Sequence, residues 1–199
     1  MAAIAVIATM FTRGKGLPGD VVAQILALGG LHYCCDAVTT EVLQGSNNMD
    51  QLYLEVAIPT REQLRLPSGL ELAECLEVMV DCCSHDQGWA SLDQELNGTY
   101  RSSFTWSELE VTKQPLPEAM EEIVIPRTTA SVNLRASRAF RWHRKIFDHN
   151  DPVVAKVTPG CKCRLYMRSQ YPGWINSVNY GRIKVSFALE IEDTRESVA

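Results

Sequence analysis

The chain has 199 residues, of which 46% are hydrophobic and 22% charged, as expected for one globular domain over residues 1–199. Its net charge of −5 argues against a nucleic-acid partner, because phosphate binding needs a basic face. The apolar segment 2–10 is too short to span a membrane. A cleaved signal peptide requires a basic residue before its apolar segment, and none is present here. We therefore expect a cytoplasmic protein without a membrane partner.

The seven cysteines predict neither a metal centre nor a disulfide framework. Their number is odd, and no two of them have the C-x-x-C spacing of a zinc site. The four histidines also lack the paired spacing of metal ligands. Reduced, mostly buried thiols are the expectation.

The first predicted element is a helix within residues 17–30. Apolar residues from Val21 to Leu28 are spaced close to i, i+3 and i+4, Asp20 is the candidate N-cap, and Gly29-Gly30 ends the segment. We expect this helix to cover one end or edge of a sheet.

After the helix, the apolar residues recur with the period of two that is typical of half-buried strands. Such segments are found at 50–59, 72–83, 100–106, 131–134, 138–147, 161–168 and 182–191. Seven to nine strands separated by turn residues indicate an all-β fold, an antiparallel β-sandwich of jelly-roll type with one short N-terminal helix. Loops at 63–69, 114–121 and 150–159 should gather at its ends, and the polar tail 192–199 should be flexible.

The densest group of polar and aromatic residues is Ser84-His85-Asp86-Gln87-Gly88-Trp89. These side chains favour a polar-aromatic pocket, although no known catalytic spacing is present. Alternatively, the polar residues bond backbone groups and only fix a turn. Aromatic pairs at strand spacing are more often core than binding surface, whereas Trp174, at the end of a predicted tight turn from Tyr171, is expected to roof a cavity.

Three segments, 84–89, 98–106 and 171–176, resemble in order the SHDQGW, GTY.GS.TW and PGW.N motifs of a family of fungal proteins. Ser107 and Ser177 depart from the family pattern, which suggests a reshaped pocket. A branch similar to this family comprises the hetero-Diels–Alderases of tropolone–sesquiterpenoid biosynthesis. These enzymes join a tropolone-derived o-quinone methide to a humulene-type alkene.

The resemblance implies a cofactor-independent pericyclase that holds two apolar partners in reacting geometry and polarises the quinone-methide carbonyl. It implies donor or acid roles for His85, Tyr100 and Arg101. His143 and Arg168 are further candidates for these roles and are also expected to contact the substrate. The pocket walls would be Trp89, Trp106, Trp142 and Trp174.

Two other functions fit the same residues. A glycan- or peptide-binding module would carry its tryptophans on an exposed face, and an interaction scaffold would use the motif only to brace the fold. A deep apolar cavity with two or three convergent polar groups favours the pericyclase, whereas a shallow groove carrying Trp89 or Trp174 argues against it. The expected partners are the two small-molecule substrates. The sequence is also compatible with a homodimer.

Overall fold

The computed structural model describes residues 16–64, 66, 70–113 and 123–191. Within them the chain forms one α-helix and nine strands, and the strand pairs are antiparallel. The predicted all-β fold with one short N-terminal helix is confirmed. The segment 2–10, the loop 114–121, most of the loop 63–69 and the tail 192–199 lie outside the described residues.

The helix α1 spans Gly19–Leu28. The strands are β1 (Tyr33–Thr39), β2 (Leu43–Ser46), β3 (Asp50–Ala57), β4 (Leu70–His85), β5 (Thr105–Lys113), β6 (Ile123–Val132), β7 (Arg141–Asp148), β8 (Lys162–Ser169) and β9 (Ile175–Ile191). Two short 3-10 helices lie at Gln94–Leu96 and Val154–Lys156.

The strands form two sheets around one core. The first sheet has the order β1-β9-β4-β7, with β2 also paired to β9, and the second has the order β3-β8-β5-β6. Alternate residues of β9, Ile183, Val185 and Phe187, are fully buried, as are Leu165 and Met167 of β8. These side chains belong to the same core cluster, so the alternation predicted for both strands is confirmed.

The helix packs on the end of β9 at one edge of this core. Its buried side chains are Val22 and Leu26, and the amide of Gly29 bonds the carbonyl of Ile25 where the helix ends. The predicted N-cap is wrong, because the helix begins at Gly19 with Pro18 at the N-cap position, so Asp20 lies within the first turn.

The predicted strand at 100–106 is also wrong. Residues 97–104 form turns, with Ser102 at φ +48°, and β5 begins only at Thr105. Tyr100 and Trp106 therefore do not share a strand face. The motif-rich segment is mostly a loop that covers the end of the sandwich, which is the position from which loops commonly form binding sites.

Bulges and register shifts in β3 and β4 change which side chains of these strands are buried. A bulge in β3 between Leu52 and Leu54 leaves Leu52 exposed and brings the Tyr53 ring beside Gly181. In β4, where alternation from Leu72 predicts Leu76 in the core, register shifts beside Cys75 bury this thiol there instead.

Three strands differ from the predicted segments because edge strands carry a weak apolar pattern. The edge strand β6 runs from Ile123 to Val132 and contains Pro126, whereas only 131–134 was predicted. The strands β1 and β2, also at a sheet edge, were not predicted at all.

Candidate functional site

The residues that the sequence analysis assigned to one site lie in separate places. Trp142 is on β7 in the first sheet, whereas Trp106 and Arg168 pair across β5 and β8 in the second. Arg168 contacts the Trp106 ring at 5.5 Å and bonds Glu108, so this pair forms part of a surface ion network.

The three proposed catalytic residues are not in a common cavity. The ring of His85 packs edge-on against Phe140 at 4.4 Å, with its Nδ1 2.5 Å from the Asp86 carbonyl oxygen. Tyr100 and Arg101 are exposed in the 97–104 turns, where Tyr100 contacts His143 edge-on at 6.3 Å. Of the predicted set, only Trp89 and Trp174 line one pocket.

This pocket has a volume of about 450 Å³ and lies at the end of the sandwich that follows the last residue of β4. Its lining includes both ends of the motif region, from Gln87 to Asp93 and from Tyr171 to Trp174, together with Phe104 and Arg135. Ligand pockets typically measure about 300–1,000 Å³, and the volume of this one lies within that range.

Four aromatic residues, Trp89, Phe104, Tyr171 and Trp174, contribute to the pocket wall. Phe104 lies at the centre, edge-on to Tyr171 at 4.8 Å and to Trp174 at 5.0 Å. The predicted tight turn is confirmed by the bond from the Trp174 amide to the Tyr171 carbonyl, and it places both rings beside Phe104. Trp89 stands at the rim with 54% of its surface exposed. The pocket is thus concave and aromatic, with one open side.

Gln87 connects two sides of the pocket. Its side-chain nitrogen donates to the Trp89 carbonyl at 2.7 Å, and its side-chain oxygen accepts the Ile175 amide at 3.2 Å. The amide group therefore holds the motif loop against the start of β9. Both halves of this buried side chain have a partner, which satisfies its hydrogen-bonding groups.

Asp86, fully buried, holds a second loop in place. Its carboxylate accepts backbone amides from Gly88 at 2.8 Å, Ala136 at 2.7 Å and Ser137 at 2.8 Å. Burial raises the pKa of this carboxyl, and the three N–H donors offset part of the rise. The contact fixes the backbone immediately after Arg135, and so Asp86 positions Arg135 at the pocket.

Arg135 is the functional candidate that sequence reasoning missed. Only 2% of its surface is exposed, and its Nε and Nη1 donate to the Asn97 side chain at 3.2 Å and the Ser102 carbonyl at 2.6 Å. Its Nη2 donates to the Leu92 carbonyl, and its guanidinium carbon lies 5.3 Å from the centre of the Trp174 ring.

No carboxylate within the described residues forms an ion pair with this buried cation. A guanidinium has five N–H donors, and the three bonds above use three of them. Arg135 also lines the pocket. The arrangement can therefore stabilise negative charge that develops on a bound molecule. The sequence shows only a cluster of arginines from 135 to 144, with no sign of which one is buried.

A glycine is required within the motif because Arg138 crosses it. Gly88 has φ +85°, and a Cβ there would lie 2.0 Å from the Arg138 Cγ. The Arg138 Nε also donates to the Gln87 carbonyl at 3.1 Å. The motif thus serves two purposes: it braces the fold, as one of the alternatives stated, and it assembles the pocket.

A larger cavity of about 650 Å³ lies at the opposite end of the sandwich. It is lined by Thr60, Glu74, Cys75, His149 and Thr158 among others, and none of the predicted site residues reaches it. Within the part of the chain that the structure describes, no group of three or more His, Cys, Asp and Glu side chains could hold a metal ion. All seven cysteines are free thiols, and six of them are buried.

Comparison with known proteins gives structural similarities of low score only. No protein-family model and no curated protein matches its sequence. The structure of Eiger TNF from S. frugiperda has 9% identity and a TM-score of 0.42, covering 84% of this chain and 99% of that one. The infectious bursal disease virus VP2 subviral particle has 9% identity, a TM-score of 0.32 and coverages of 81% and 41%.

A CBM4 structure has 11% identity and a TM-score of 0.25, covering 76% of this chain and 94% of that one. Among the described helices, none is long and apolar enough to cross a membrane.

Proposed function

We propose that the protein is a cofactor-independent pericyclase, a hetero-Diels–Alderase that binds a tropolone-derived o-quinone methide and a humulene-type alkene. The observation that carries the proposal is the aromatic pocket of about 450 Å³ with the buried, carboxylate-free Arg135 in its wall. A cytoplasmic location belongs to the same proposal, and the free state of all seven cysteines supports it.

The geometry suits the chemistry of a cycloaddition. The rings of Phe104 and Trp174 offer planar apolar surface against which a conjugated diene stacks, and holding two reactants together removes several kcal/mol of the barrier. The carbonyl oxygen of a quinone methide gains negative charge as the new bonds form. The two remaining N–H groups of Arg135 would stabilise that oxygen more strongly in the transition state than in the bound substrate.

The residue roles differ from those first assigned by resemblance. Arg135 replaces His85, Tyr100 and Arg101 as the proposed donor, because these three do not line the pocket. Trp89 and Trp174 keep their role as walls, joined by Phe104 and Tyr171. Gln87 and Asp86 act on the pocket through the loops that they hold.

The deciding experiment incubates the protein with a quinone-methide precursor and humulene and measures the rate and stereoselectivity of adduct formation. We expect Arg135→Met to lower the rate roughly 100-fold, as the loss of one donor to a developing oxyanion does. Arg101→Ala, which changes an exposed arginine outside the pocket, is the matched control and should keep the rate. Adduct formation no faster and no more selective than in the blank would reject the proposal.

The half-exposed rim residue Trp89 favours a second function, a binding module without catalysis. An open side admits part of a larger molecule, whereas a cycloaddition gains from a closed site. Saturable binding of tropolone that Trp174→Ala abolishes, without any acceleration of adduct formation, would favour this second function.

A further inference from the structure

The strand β7 lies at one edge of the first sheet, with β4 on one side of it. Within the described chain no strand pairs with its other side, and no backbone bond outside the strand pairs involves residues 141–147. We propose that this free edge, the β7 edge, binds an extended acidic peptide of a partner protein, which adds to the sheet as a further strand.

The strand β7 is better suited to such pairing than the other strands at the sheet edges. Its register with β4 runs from Arg141 to Asp148 without a shift, whereas β3 has a bulge and β6 contains Pro126. Bulges and prolines interrupt the row of backbone groups that a new strand would bond. The fourth edge strand, β1, is regular but has no basic residue. The β7 edge thus combines regular backbone with positive charge.

Strand alternation divides the side chains of β7 between two faces. Lys145 pairs with the buried Val80 of β4 and therefore lies on the core side of the strand, as does Arg141 four residues earlier. Trp142 and Ile146 lie on the outer side, with 68% and 48% of their surface exposed. A strand added at this edge would meet cations along one face and apolar side chains along the other.

The two cations on the core side have no acidic partner. Both side chains are exposed, and neither Arg141 nor Lys145 forms an ion pair with any residue that the structure describes. The Lys145 ammonium group lies 5.2 Å from the centre of the Phe147 ring, which leaves its charge uncompensated. On the outer side, by contrast, Arg144 is paired with Asp81. Acidic residues at every second position of an added strand would supply the missing opposite charges.

Two observations favour a peptide over other anions. The free backbone N–H and C=O groups of the edge match another peptide strand, whereas a nucleic acid or a lipid headgroup has no repeating set of such partners. The net charge of −5 also repels a long polyanion. A second copy of the chain is disfavoured, because antiparallel pairing of two β7 edges about His143 would set Arg141 opposite Lys145.

The test is a titration of the full chain with fluorescent peptides, followed by fluorescence anisotropy. The peptides have eight residues, the length of β7, and are acetylated and amidated. Valine alternates with glutamate in the first peptide and with lysine in the second. The third is the glutamate peptide with an N-methyl group on every residue, which removes its backbone donors. We expect saturable binding of the first peptide and no binding of the other two.

Removing the two cations should weaken this binding. The double variant Arg141→Gln, Lys145→Gln should bind the glutamate peptide roughly tenfold more weakly, because two pairs of opposite charges are lost. The matched control combines Arg61→Gln with Lys156→Gln. It removes two exposed cations at the opposite end of the sandwich, beside the larger cavity, and should bind like the parent.

Three results would overturn the proposal: no binding of the glutamate peptide, equal binding of its N-methylated form, or an equal loss in the control variant. Tighter binding of a thymidine dodecanucleotide, or of phosphatidylserine vesicles, would assign the edge to that ligand instead. A parent dimer that Trp142→Ala dissociates, measured by light scattering, would assign it to self-association. None of these measurements involves cycloaddition, so their outcome is separate from that of the proposed function.

Discussion

Among single residues, the motif side chains that matter most for the pocket are those that hold its loops together. Asp86 bonds three backbone amides across two loops, and Gln87 bonds the backbone of a third segment. His85, which looks most like a catalytic residue in the sequence, packs on the outer surface with Phe140. The chemistry proposed for the pocket therefore depends on Arg135, which Asp86 positions.

Replacing Asp86 with Asn should destabilise the protein by about 2–4 kcal/mol, because the new NH₂ group faces N–H donors in a buried site. Urea denaturation measures this loss in the free energy of unfolding. The control Asp36→Asn changes an aspartate of the surface pair with Arg182 and should cost less than about 1 kcal/mol. A loss for Asp86→Asn no larger than that for the control would contradict the role of Asp86 as the loop anchor.

At the scale of elements, the bulge in β3 and a glycine in β9 fit one another. The bulge brings the Tyr53 ring so close to Gly181 that a Cβ at position 181 would lie 2.7 Å from a ring carbon. The Tyr53 hydroxyl also donates to the Glu41 carbonyl at 2.6 Å, which holds the ring in position.

The substitution Gly181→Ala should therefore cost about 1–3 kcal/mol of stability through overpacking. Thermal unfolding monitored by circular dichroism gives the measurement. Tyr53→Ala removes the ring, so in that background Gly181→Ala should cause almost no further loss of stability. If the two losses simply add, the ring contact is not the cause.

The outer surface of the second sheet is stabilised by a network of charges around a nearly buried glutamate. Glu110 accepts a bond from Arg127 at 2.7 Å and lies 3.6 Å from a nitrogen of Arg164. Arg127 also stacks on the Tyr166 ring at 3.6 Å. The acid pairs with Arg127 raise the pKa of its guanidinium, against the opposing effect of burial.

Glu110→Gln should lower the free energy of unfolding by about 1–3 kcal/mol, because it removes the buried negative charge that Arg127 and Arg164 share. Denaturation in urea avoids the ionic screening that guanidinium would add. Asp50→Asn serves as control, since Asp50 bonds the same Arg127 from an exposed position and should cost less than about 1 kcal/mol. Equal losses for both variants would show that burial of Glu110 adds nothing.

At the scale of the whole molecule, His143 should make stability depend on pH. Burial and the nearby charge of Arg141 lower the pKa of this imidazole, whose Nε2 is buried without a hydrogen-bond partner in the described structure. The unfolded chain takes up a proton near pH 6.5, and the folded chain does so only at a lower pH. His143 therefore contributes stability above pH 6.5 that is lost as pH falls through the folded pKa.

Comparing the parent with His143→Gln in urea at pH 7.5, 6.5 and 5.5 tests this expectation. The parent should lose stability towards pH 5.5, and the variant should lose less. The difference should stay below about 1 kcal/mol, because water partly screens a ring that is only half buried. His149→Gln, a change at an exposed histidine, should keep the slope of the parent. Identical slopes for parent and His143→Gln would exclude the effect.

The sequence by itself determined the class of fold and the long central strands. Strict alternation in β8 and β9 leaves one register in which the apolar side chains are buried, because a shift by one residue would expose them all. It also determined the helix end at Gly29-Gly30 and the turn before Trp174, where local backbone chemistry is sufficient. The edge strands β1 and β2, most of β6 and the bulges were missed because partner strands, not local patterns, decide them.

Which residues share a pocket depends on how the two sheets and their loops pack together. Trp89 and Trp174 meet Phe104 and Arg135 there because four segments distant in sequence end at the same end of the sandwich. Residue types give no sign that Arg135 is buried without a carboxylate, or that His85 and Trp142 lie on an outer surface. Alternation along a strand defines two faces, and only the packing of one sheet on another shows which of them is inside.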